Sequence, residues 1–146
     1  MATGAARLIE ENYIGAGLVR YEYHYVTFGR ADGLAAAQAA ECANVQGSFW
    51  PYHDILYANQ TGRDDQFSNA RLLAFADALN LEQREFRDCL KEGQSRQVVQ
   101  ADEDLADLKG VTATPTLFIN GEKVEGAKQY GVFQEIIDRK LKETES

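Results

Sequence analysis

The sequence predicts a mixed α/β domain in which a long helical block interrupts a small sheet. Three observations carry that prediction. Apolar residues alternate with period two over Val19–Tyr25, helical patterning fills Ala31 to Gly110, and an Asn120–Gly121 turn separates two short β-type runs. At 146 residues, 45% apolar and 26% charged, the chain fits one globular domain over 1–146. Only two prolines occur, and no Gly/Ser-rich linker divides it.

Each element follows from local pattern. GAARLIEENYIGAG reads as a short helix closed by Gly15 or Gly17. In LVRYEYHYVTF, Val19, Tyr21, Tyr23 and Tyr25 share one side while Arg20, Glu22 and His24 share the other, which predicts a strand with one apolar face. DGLAAAQAAECANVQG is an alanine-rich helix ending at Gly47. SFWPYHDILYANQ restarts after Ser48, and Pro51 is tolerated in a first turn, where an N–H has no intrahelical partner. SNARLLAFADAL places Leu72, Leu73, Phe75, Ala76 and Leu79 at helical spacing. Asn80 then reads as an N-cap, with Gln83 as capping-box partner, for a helix reaching Gly93. SRQVVQADEDLADLKG supplies one more helix. Pro115–Ile119 reads as a strand, Asn120–Gly121 as a hairpin turn and Lys123–Glu125 as the return strand. From Tyr130 to Glu143 a closing helix turns Val132, Phe133, Ile136, Ile137 and Leu141 to one face, with Glu135–Arg139 and Asp138–Lys142 spaced for ion pairs.

Charge narrows the function classes. A net charge of −8, with cations interspersed among anions, disfavours nucleic acid and anionic membrane surfaces as partners. No apolar run approaches the roughly 20 residues of a spanning helix, and MATGAARLIEEN lacks a signal peptide's apolar core. His24 and His53 are the only histidines, and no spacing of ligand types suggests a metal. His53 reads as a hydrogen-bonded core or helix-surface residue, His24 as solvated. Phe49, Trp50 and Tyr52 read as packing residues in preference to an aromatic binding patch, and Asp102, Glu103 and Asp104 as a solvated helix face. No glycine-rich phosphate loop or other cofactor site is expected.

In TATPTLFING, a Thr-Pro stands immediately before a strand, where proline and its predecessor both resist helical geometry. On base rates alone Thr114–Pro115 would be trans. From about Ala6 to the C-terminus, however, the sequence resembles the DsbA-like branch of the thioredoxin superfamily. The resemblance rests on LIEENYIGAGLVRYEYHY, LAAAQAAECANVQGSFWPYHDILYANQ, LEQREFRDCL and, most specifically, GVTATPTLFINGEKVEGAKQYGVFQEIID. It implies a thioredoxin-like sheet formed by 1–30 and 111–146, a helical insertion over 31–110, and a cis bond before Pro115. It also implies that Ala113, Thr114 and Pro115 contact an extended peptide or protein partner.

The family pattern carries a strand ending in C-x-x-C ahead of the first helix, where the helix dipole lowers the thiol pKa. This chain contains only Cys42 and Cys89 and no C-x-x-C, so the first central strand and the dithiol are expected to be missing. Thiol-disulfide exchange needs a thiolate. The expectation is a binding or self-associating module, with enzymatic activity left open. Two alternatives remain, the C-terminal fragment of an active DsbA-type oxidoreductase and a glutathione-dependent isomerase-like relative, for which Thr3 is the hydroxyl nearest the first helix. The residues alone leave Cys42 and Cys89 as a bridge or as two buried thiols, whereas the resemblance implies a structural disulfide. A bridge would indicate an oxidising, extracytoplasmic compartment, and free thiols the cytoplasm.

Without a central strand, the Val19–Tyr25 strand is expected either to pair directly with Pro115–Ile119 or to pair across a second copy. A homodimer with Leu18–Phe28 at the interface is the resulting prediction. Analytical ultracentrifugation at micromolar concentration should show a dimer; a compact monomer would remove the idea.

Overall fold

The computed structural model describes residues 4–63 and 65–144, with seven α-helices, a π-helical turn and two strands among them. Contacts divide the chain into two compact units, Met1–Tyr23 with Gly110–Ser146, and His24–Lys109.

In the first unit, α1 (Ala5–Ile9) runs into a π-helical turn, Glu10–Ile14. The Gly15 amide donates to the Glu10 carbonyl at 2.8 Å, one residue further back than in an α-helix. A Cβ on Gly15 would lie 3.3 Å from that oxygen, so the missing side chain permits the closure. The wider turn carries Tyr13, buried at 5%, whose hydroxyl donates to Asp138 Oδ1 at 2.6 Å on α7 (Tyr130–Thr144). Burial first, and the bond to Asp138 second, raise the Tyr13 hydroxyl pKa. Strands β1 (Thr116–Ile119) and β2 (Glu122–Glu125) pair antiparallel, with Leu117 opposite Val124. Asn120 and Gly121 both have positive φ, 44° and 85°, as a two-residue type I′ turn requires. Ile9, Tyr13, Val124, Phe133 and Ile137 form the buried core, with Leu117, Ile119 and Ile136 packed against it.

Two sequence expectations about α7 change. Val132 is 41% exposed, so the buried stripe of α7 is narrower than its periodicity suggests. Arg139 reaches across to Glu122 at 2.7 Å as well as to Glu143 on its own helix, and its hydrogen bond holds the Glu122 carboxyl below the ordinary range.

Residues 18–26 do not form the predicted strand. Among the described residues the sheet holds β1 and β2 alone, so the direct pairing with Pro115–Ile119 is not made. The alternation nevertheless governs burial: Val19, Tyr21 and Tyr23 are half-buried and Tyr25 is buried, whereas Arg20, Glu22 and His24 are exposed. Alternation sorts side chains between two faces; a strand in a sheet also needs a backbone ladder beside it.

The second unit contains α2 (Ala31–Val45), α3 (Phe49–Ala58), α4 (Asn69–Ala78), α5 (Gln83–Glu92) and α6 (Gln94–Leu108). Helix α2 packs against the other four, and its buried Ala37, Ala39, Ala40 and Ala43 explain how: small side chains let neighbours approach on several sides. It ends in a Schellman closure, with Ser48 N donating to Ala43 O at 2.9 Å and Gly47 N to Asn44 O at 2.8 Å. Helix α4 ends the same way, and this corrects the capping assignment. Asn80 has φ 55° and closes α4, with Asn80 N donating to Asp77 O and Leu81 N to Ala76 O. Asparagine tolerates the left-handed conformation, so it serves as the stop of α4; Glu82 is the N-cap of α5 and accepts from Arg84 N. Tyr52 is fully buried and its hydroxyl donates to Leu72 O at 2.8 Å.

Buried Gln66 ties the loop before α4 to the start of α2. Its carbonyl accepts from the Thr61 and Gly62 amides, and its amide donates to Asp32 Oδ2 at 2.7 Å. That bond holds the Asp32 carboxyl below its ordinary value, against desolvation, with the Gly33 amide and Arg30 adding to it. A carboxyl depressed in the folded state contributes stability that is fully present above the ordinary carboxylate range and lost as pH falls through the depressed value. Asp32→Asn should therefore flatten the acid limb of the stability profile in urea titrations; an unchanged limb would assign it to other carboxylates.

Candidate functional site

The segment entering β1 is fixed by the hairpin it precedes. Gly126 N donates to Pro115 O at 2.8 Å, extending the ladder past the Thr116–Glu125 pair. Thr116 Oγ1 donates to Ala113 O at 2.7 Å, and Lys123 Nζ to Gly110 O at 2.7 Å. Between these anchors Thr112, Ala113 and Thr114 are exposed and Pro115 is half-buried. The Thr114–Pro115 peptide bond is cis. Ala113, Thr114 and Pro115 thus lie together in one turn held from both sides. Apart from the Thr114 hydroxyl their side chains are apolar, and none is charged, so the chemistry available is hydrogen bonding and apolar contact.

The two sulfurs lie elsewhere in the chain's organisation. Cys42 on α2 and Cys89 on α5 form a disulfide, with Cα atoms 5.8 Å apart. Cys42 is 1% exposed and Cys89 half-buried. Both stand inside helices, away from the N-terminal ends that lower a thiol pKa. Gln46 reinforces the same junction, accepting from Glu82 N at 2.8 Å and donating to Glu82 O at 3.2 Å.

The acidic stretch on α6 is not merely a solvated face. Asp102 accepts from Tyr25 N at 2.9 Å through Oδ2 and lies 2.8 Å from His24 Nδ1 through Oδ1. Glu103 accepts from Thr27 N at 3.1 Å and from the Thr27 hydroxyl. Helix α2 completes the seat, since a Cβ on Gly33 would sit 3.3 Å from Thr27 Cβ. His24 is therefore paired as well as exposed, and Asp104 alone of the three acids behaves as expected, accepting from exposed Gln100. The alternation of the 24–27 stretch showed its faces, but nothing local to it named Asp102 or Glu103, more than 70 positions away. His53 has 13% side-chain exposure, with Nδ1 3.0 Å from Asp54 Oδ1. Of the aromatic trio, Tyr52 packs inside, Phe49 is half-buried and Trp50 is 44% exposed. No group of potential metal ligands occurs among the described residues, and no helix among them is long and apolar enough to cross a membrane. Thr3 lies outside the described residues.

Comparison with known proteins bears on the family and the fold. A family model described as thioredoxin matches residues 2–139. The Na(+)/H(+) antiporter NhaA 3 of Salinispora tropica is 38% identical over 110 residues, covering 74% of this chain and 16% of that protein. Disulfide bond formation protein D of Bacillus subtilis is 26% identical over 140 residues, covering 92% of this chain and 62% of that protein. The chain thus spans a small part of the antiporter and under two thirds of the Bacillus protein. Among solved structures, oxidised BdbD from Bacillus subtilis superposes with a TM-score of 0.82 at 24% identity, over 93% of this chain and 76% of that one. The thiol-disulfide exchange protein alpha-DsbA2 from Wolbachia pipientis gives 0.77 at 19% identity, over 94% and 75%.

The bridge closes a separation of 47 residues. In the chain-entropy treatment such a loop stabilises by about 4 kcal/mol. Reduction, or Cys42→Ala with Cys89→Ala, should lower unfolding free energy by up to about that amount in denaturant titrations. A loss well under 1 kcal/mol would show the helices already held by α2–α5 packing.

Proposed function

The chain belongs to the thioredoxin family, and from that premise we propose that it is a polypeptide-docking module of the DsbA type that carries no exchange chemistry of its own. The observation that carries the reading is the exposed Ala113–Thr114 pair, anchored beside β1 where an extended peptide can align. The sulfurs support the same reading: Cys42 and Cys89 are tied to each other, one of them almost wholly buried, so neither offers a thiolate. The bridge also favours an oxidising compartment. Self-association through Leu18–Phe28 is the second form such docking could take, supported by Leu18 and Phe28 at 55% and 52% exposure.

A second reading is favoured by the similarity to disulfide bond formation protein D. Here the chain is the docking part of an exchange enzyme whose dithiol is supplied by residues outside these 146.

Insulin reduction separates the readings. The chain alone should give no turnover under either; a product joined to an upstream strand ending in C-x-x-C should turn over only under the second. Docking itself is tested by calorimetry with an extended, uncharged peptide. Ala113→Arg, at an exposed position, should weaken binding by about tenfold, or roughly 1.4 kcal/mol. Unchanged affinity would move the docking site elsewhere.

A further inference from the structure

The aromatic residues of α3 divide between two faces of the helix. Tyr52 turns inward and is fully buried. Trp50, His53 and Tyr57 instead form a continuous row along the helix, with ring centroids 5.4 Å apart for Trp50–His53 and 4.5 Å for His53–Tyr57. Phe49 joins its start, 4.9 Å from Trp50 and 6.1 Å from Tyr25. Trp50 keeps 44% of its surface exposed and Tyr57 39%.

Carboxylates pair with two members of this aromatic cluster. Asp54, with 70% of its side chain exposed, pairs with His53. Glu41 accepts from the Tyr25 hydroxyl at 2.9 Å. The wider surroundings carry the same sign: residues 24–109 contain eight Lys and Arg against fourteen Asp and Glu, most of the net charge of −8.

We propose that this row is a docking surface for a cationic segment of a polypeptide partner. An aromatic face attracts an ammonium or guanidinium through its quadrupole, and an adjacent carboxylate adds a charge partner at the rim. A negative field over the whole unit steers cationic chains toward it and repels anionic ones. From Trp50 to Tyr57 the helix rises about 10 Å, the reach of about three residues of extended chain. Successive basic side chains of an extended segment can therefore meet Trp50 and Tyr57 in one pass. The surface is independent of the Ala113–Pro115 reading, because an uncharged peptide that fails to bind there leaves this row untouched.

Trp50 is the chain's only tryptophan, so its emission reports on the row directly. The test titrates the full chain with an alternating Gly–Arg peptide and, separately, with its Gly–Glu counterpart. Saturable change with the first, weakened by added salt and absent with the second, is the expected result. Tyr57→Leu and the surface-conserving Asp54→Asn should each weaken the Gly–Arg peptide by about threefold to tenfold. Circular dichroism verifies that both variants keep their helices. Equal affinity for the two peptides, binding without a change in Trp50 emission, or unchanged affinity in both variants would overturn the proposal. So would sedimentation of a dimer in which Trp50 loses its access to a soluble quencher.

Discussion

A hairpin of two short strands has one backbone ladder and too little apolar surface to stand alone, so β1 and β2 depend on what packs over them. Here that cover is the α1 end, the π-helical turn and α7, which bring Ile9, Tyr13, Phe133 and Ile137 onto Val124. The covered hairpin also fixes the turn that precedes it. Pro115 is fixed by Gly126 and Ala113 by Thr116, so the exposed residues 112–114 are held in place by a core to which they contribute nothing. A loop takes its precision from the rigid element behind it.

The helical unit answers a different problem. An alanine-rich central helix brings its neighbours close but gives each little apolar area, as the small buried side chains of α2 show. Directional contacts make up the difference. The disulfide and the two Gln46–Glu82 bonds hold α5, the Gln66–Asp32 bond holds the loop before α4, and Asp102 with Glu103 holds residues 24–27. The disulfide is thus one of several devices with the same task, and its placement inside helices suits that task better than catalysis.

Much of this was legible in the residues. Period, glycine stops and the Asn120–Gly121 pair gave the α-helices and the hairpin, though not the π-helical turn, because those signals act within a few positions. The resemblance carried by GVTATPTLFINGEKVEG singled out the turn proposed for docking. What local pattern could not decide was which of two compatible roles a residue takes. Asn80 can start a helix or stop one, and the buried Leu81 behind it settles the matter in favour of a stop. Arg139 has a helical neighbour in Glu135 and a cross-element one in Glu122, and only the fold shows that the latter lies within 2.7 Å. Asp102 looked like solvent-facing charge because its acceptor role belongs to an amide 77 positions away.

The π-helical turn has a consequence for how this chain tolerates length change. A π-helical turn holds one residue more than the α-helical turn it replaces, and the residues on either side keep their faces. Loss of one residue among Glu10, Glu11 and Asn12 is thus absorbed as a regular helix with Tyr13 still turned toward Asp138, whereas a loss within the regular turns of α7 rotates all that follows by about 100°.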